Sequence, residues 1–82
     1  MRQQIITIRT DWFAILTDLQ HAGKSNAEVA RLIDVPRNTV WGWKDGAEPK
    51  YGDGSRLLVL WSMETGKGLE ARPTKQEVRA PR

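Results

Sequence analysis

Apolar residues recur at helical spacing in four stretches of the chain, and each stretch carries its own start and stop signals. In "TDWFAILTDLQHAG", Trp12, Ile15, Leu16 and Leu19 fall three or four apart. They predict a helix over 11–22, with Thr10 as N-cap, Asp11 at the positive helix end and Gly23 in the left-handed position beyond it. "KSNAEVARLI" contains the capping box Ser25–Glu28 and a buried stripe of Val29, Ala30 and Ile33, which predicts a helix over 26–33 that "DV" breaks. "PRNTVWGWKD" reads as a third helix, because proline is tolerated in a first turn, and Gly46 ends it. After the loop "GAEPKYGDG", Asp53 is placed to cap a fourth helix, "GSRLLVLWSMET", which stops at Gly66. Leu57, Leu60 and Trp61 share one face of it, and Leu58 borders that face.

The two ends lack this periodicity. "IITI" near the N-terminus is a β-branched run that suits a strand, an arm or the lead-in to the first helix. The last stretch, "KGLEARPTKQEVRAPR", has two prolines, scattered charge and few apolar residues, a composition that predicts disorder. The expected fold class is therefore all-α. Four helices pack into one domain over 1–66, with or without a short N-terminal strand, and a disordered basic tail follows over 67–82.

Composition narrows the chemistry. A chain of 82 residues allows one small domain, and the absence of cysteine removes disulfides and thiolate metal sites. No apolar run has the length to cross a bilayer, and "MRQQIITIRT" has no secretory signal, so a soluble, cytoplasmic protein is expected. The net charge of +3 is unevenly spread: residues 1–66 hold eight Lys/Arg against eight Asp/Glu. The tail holds Lys67, Arg72, Lys75, Arg79 and Arg82 against Glu70 and Glu77. Such a tail attracts nucleic acid or simply keeps a small protein solvated. An enzyme is not expected. His21 is the only histidine, the serines have no evident base and acid around them, and no Gly-rich phosphate loop occurs. No metal, cofactor or small-molecule substrate is expected either.

The second and third helices are separated by only about three residues, the connection of a helix-turn-helix. That motif needs apolar residues at set places, here Val29 and Ile33, then Val35 in the turn, then Val40 and Trp43. Ala30 is small where the helices cross, and Asp34 stands where the chain needs positive φ. The stretch "SNAEVARLIDVPRNTVWGWKDG", residues 25–46, resembles the DNA-binding motif of the lambda-repressor and Cro family. Val29 and Ala30 match its "L-A", Ile33 its second "L", Val35 its "V", Thr39 and Val40 its "T-V", Trp43 its "W" and Gly46 its "G". Asn26 stands where the family usually has Gln, and Pro36 replaces a capping Ser. "WKDGAEPK…LLVLW" is also similar to the phage CII-type activators.

The resemblance implies a compact four-helix domain that regulates transcription by reading double-stranded DNA, a phage or bacterial repressor of Cro type. It also implies a homodimer on a palindromic operator, with half-sites about one helical turn, ~34 Å, apart. The third helix would enter the major groove, with Arg37, Asn38, Trp41 and Gly42 on its outward side. Arg37 suits guanine and Asn38 suits adenine, since each offers a bidentate pair. Trp41 has several uses open to it: a thymine methyl, the sugar–phosphate, a cation–π cover for Arg37 or a subunit contact. Gly42 keeps the helix low against DNA. Asn26, Thr39, Lys44, Lys50 and Tyr51 are the candidates for phosphate contact, with Arg31 a weaker one, while Asp45 would repel phosphate unless a base pairs it. The rival from another class is a protein-interaction module, an antirepressor or adaptor that keeps the fold without specific DNA binding. The dimer surface is open between "IITI" and the outer side of the fourth helix, with Leu58, Met63 or a second face of Trp61.

Overall fold

In a computed structural model, which describes residues 4–79, four helices form the body and the segments before the first and after the last of them meet as a sheet. The order is β1 (Ile5–Thr10), α1 (Trp12–His21), α2 (Asn26–Ile33), α3 (Arg37–Lys44), α4 (Tyr51–Thr65), a single 3₁₀ turn at Leu69–Ala71, and β2 (Thr74–Arg79). The four expected helices are present, each shifted by a few residues at most. The buried core is Ile15, Leu16 and Leu19 of α1, Val29, Ala30 and Ile33 of α2, Val40 and Trp43 of α3, and Leu57 and Trp61 of α4. Trp12, Val35, Leu58 and Leu60 pack around it.

Helices α1, α2 and α3 end in the same way. At each, a residue one or two places beyond the last helical one has positive φ: Gly23 at 94°, Asp34 at 61° and Gly46 at 112°. The next amide reaches back to the helix: Lys24 to the Leu19 carbonyl at 2.9 Å, Val35 to Ala30 at 3.0 Å, Ala47 to Gly42 at 2.9 Å. These are Schellman closures, which satisfy the orphan carbonyls and turn the chain sharply. The one at Asp34 makes the tight α2–α3 turn. Ser25 caps α2 by accepting from the Glu28 amide at 3.2 Å. Glu28 itself pairs with Lys24 and Arg31 at 3.8 and 3.7 Å, contacts between partly exposed groups that add little.

Two caps fall elsewhere than expected. Asp11, not Thr10, caps α1 by accepting from the Ala14 amide at 3.1 Å, because Thr10 is already the last residue of β1. α4 begins at Tyr51 with Lys50 as its cap, so Asp53 lies in the first turn and pairs with Arg56. Trp61 is fully buried, and its indole N–H donates to Asp18 Oδ2 of α1 at 2.9 Å. That bond satisfies the buried polar atom and fixes α4 on α1. Gly54 allows the close approach of α4 to Trp12: a Cβ there would lie 3.1 Å from the indole ring.

The all-α expectation is overturned. β1 and β2 form an antiparallel two-stranded sheet, Ile5 opposite Arg79 through Thr10 opposite Thr74. The expected disordered tail is thus a turn and a strand in its described part, while 80–82 lie outside the described residues. Composition misled because the tail draws its order from a partner about seventy residues away, which supplies backbone hydrogen bonds rather than a core. The root is pinned as well. The Asp11 amide donates to the Pro73 carbonyl at 2.9 Å, and Arg72 Nε donates to Thr10 Oγ1 at 2.9 Å. Arg9 bridges Glu77 of β2 at 2.9 Å and Glu48 of the α3–α4 loop at 2.6 Å. The "IITI" run is therefore the strand among its three alternatives.

Candidate nucleic-acid interface

A helix eight residues long cannot bury every side, and α3 divides its residues sharply. Val40 and Trp43, three apart, point into the core at 0 and 4% exposure. Arg37, Asn38 and Trp41 are exposed, Trp41 at 52%. The helix turns by about 100° per residue, so Arg37 and Trp41, four apart, lie in one row. They line one open concavity with Gln20, Lys24, Ser25, Asn26 and Ala27. This brings the outer face of α3 beside the N-terminus of α2, where free amides favour anions.

Trp41 also borders a second concavity, with Phe13, Gly42, Lys44 and Asp45. It is thus a ridge between two hollows. Phe13 is 56% exposed, and Lys44 Nζ sits 5.8 Å from its ring centroid, a cation–π distance. That contact belongs to Lys44 and Phe13. Among the described residues no such contact joins Arg37 to Trp41. Lys44 Nζ also donates to Gln20 Oε1 at 3.5 Å, and Gln20 Nε2 donates to Asn26 Oδ1 at 3.1 Å. A polar chain therefore ties the end of α3 through α1 to the start of α2.

The expected contact residues divide by position. Asn26, Arg37 and Trp41 meet at one hollow, and Trp41, Gly42 and Lys44 at the other. Asn26 is only 4% exposed, and its side-chain oxygen is engaged by Gln20, so it braces the motif from below the surface. Thr39 is half-buried and Gly42 likewise. A Cβ on Gly42 would meet only Ala47 Cβ, at 3.9 Å, an ordinary contact. The chain's own packing therefore does not require glycine there. Lys50 and Tyr51 stand apart from both hollows, at the start of α4 beside Trp12, with Tyr51 92% exposed. Arg31 is exposed and paired with Glu28. Asp45 caps the end of α3 and has no ion-pair partner among the described residues.

Two members of this surface were not singled out from sequence. Phe13 follows Trp12, and the pair sits about 100° apart on α1, so with Trp12 turned toward the body Phe13 faces out. Gln20, seven residues on, falls on the same side as Phe13, which is the signal that places it near α3. Among the described residues no cluster of potential metal ligands occurs, and no helix is long and apolar enough to cross a membrane. Comparison with family models, with curated proteins and with solved structures finds no match for this chain.

Proposed function

We propose that this chain is a sequence-specific double-stranded DNA-binding regulator of transcription that reads the major groove with α3. One observation carries the reading: α2 and α3 join through a left-handed Asp34 turn, with Val40 and Trp43 locked inside and Arg37, Asn38 and Trp41 turned out. In that role Arg37 and Asn38 contact base edges. Trp41 lies against a base or sugar, and Gly42 lets the helix sit low. Lys44, with the N-terminus of α2, holds phosphates. Lys50 and Tyr51 reach the backbone only if DNA extends along the start of α4. The protein acts in the cytoplasm as a homodimer on a palindromic operator, of phage or bacterial repressor type.

A second reading, a protein-interaction module of antirepressor or adaptor type, is favoured by the charge balance of 1–66 and by the exposed Phe13–Trp41 pair. Selection of bound duplexes from a random pool separates the two. A regulator enriches a palindrome and an interaction module leaves the pool unenriched.

A further inference from the structure

The β1–β2 ribbon leaves aliphatic side chains open on both faces. Ile5, Ile6 and Ile8 are 56, 55 and 59% exposed. Strand alternation puts Ile6 and Ile8 on one face and Ile5, Thr7 and Arg9 on the other. A lone two-stranded ribbon is marginal in water, and stability needs a third strand or a covering helix. Among the described residues neither strand packs its backbone against a helix; the ribbon is tied on at its root.

Its two edges differ. β2 carries Lys75 and Glu77, charges of the kind that blunt an edge against further pairing. From Ile5 to Ile8, β1 has no charge, no proline and no break in register. We propose that β1 is the dimerisation edge: it pairs antiparallel with β1 of a second copy of this chain, giving a four-stranded sheet ordered β2-β1-β1-β2. A two-fold axis perpendicular to that sheet places residues of one face opposite the same face, so the register centres on a single residue. Centring on Thr7 sets Ile6 opposite Ile8 of the second copy twice over. Centring on Ile6 or Ile8 matches one isoleucine pair, and centring on Arg9 opposes two guanidinium groups. In the Thr7 register no like charges face each other, and Arg9 is already held by Glu48 and Glu77. The ribbon is small, so the dimer is weak and concentration-dependent.

The proposal rests on the two-fold reading above and names its surface. The absence of cysteine makes the test clean. Opposed Cα atoms in an antiparallel pair lie about 4.5–5.5 Å apart, within disulfide reach. In the full chain, Thr7→Cys is expected to give a covalent dimer on mild oxidation, while Gln76→Cys on β2 and Met63→Cys on α4 do not. Sedimentation of the wild type is expected to show a dimer at high concentration that Ile6→Lys shifts to monomer with helical circular dichroism retained. A monomer at every concentration, or cross-linking through Gln76→Cys or Met63→Cys instead, overturns the proposal. A wild-type chain that binds selected duplex as a monomer overturns it and leaves the DNA reading standing. A Thr7-linked dimer with no affinity for any duplex does the reverse.

Discussion

Gly42 and Asp34 are both in places where a different residue suits local backbone physics better. At Gly42 the helix is regular and the space is open, so alanine fits and adds about 1 kcal/mol of helix preference. Gly42→Ala is therefore expected to raise the melting temperature. If α3 sits against DNA, the same methyl weakens duplex binding several-fold, and one sample measured by melting and by titration reads both effects. A loss of stability would place the glycine among the packing requirements instead. Asp34 holds φ at 61°, a conformation that costs a residue with a Cβ roughly 1–2 kcal/mol. Asp34→Gly is expected to stabilise the domain by about 1 kcal/mol in urea unfolding and to leave binding unchanged. Both positions were legible beforehand, Asp34 from the motif spacing and Gly42 from its place between Trp41 and Trp43. What the sequence did not show was that Trp41 stands between two hollows, since one of them is built by Phe13 of another helix.

Among the helices, the α1–α4 contact depends on a hydrogen bond with no local signature. Trp61 is fully buried and its indole N–H is satisfied by Asp18, forty-three residues earlier. Asp18→Ala leaves that donor without a partner and is expected to cost about 1–3 kcal/mol by chemical denaturation, whereas Asp18→Asn keeps an acceptor and most of the stability. Equal losses for both variants would assign the effect to charge instead. α2 is held at its far end by Arg56, whose Nε donates to the Ile33 carbonyl at 3.2 Å. The helices themselves were readable, because period, caps and left-handed closers are written within a few residues of each other. The cap at Asp11 moved by one position, since a strand that ends at Thr10 cannot be seen in the helix pattern. Pairings such as Trp61–Asp18 and Gln20–Asn26 depend on which helix faces which, and that information is spread over the whole core.

The described residues together measure 49 × 27 × 20 Å, drawn out rather than round. β1 and β2 build the ribbon together, although composition places only the β2 segment outside the fold. Arg9 fastens it: its hydrogen bond to Glu77, with Glu48 nearby, raises the guanidinium pKa above its ordinary value. Arg9→Ala is expected to speed hydrogen exchange at the β1 and β2 amides while the α1 and α4 amides keep their protection. Uniformly faster exchange would mean that the ribbon and the helices unfold as one unit. A duplex selected from a random pool, end-labelled and titrated at low salt, is expected to bind well below micromolar concentration. Arg37→Ala is expected to weaken it by roughly 5- to 150-fold, the range of one lost bidentate base contact. Binding no tighter than micromolar, with Arg37→Ala indistinguishable from wild type, would contradict the account.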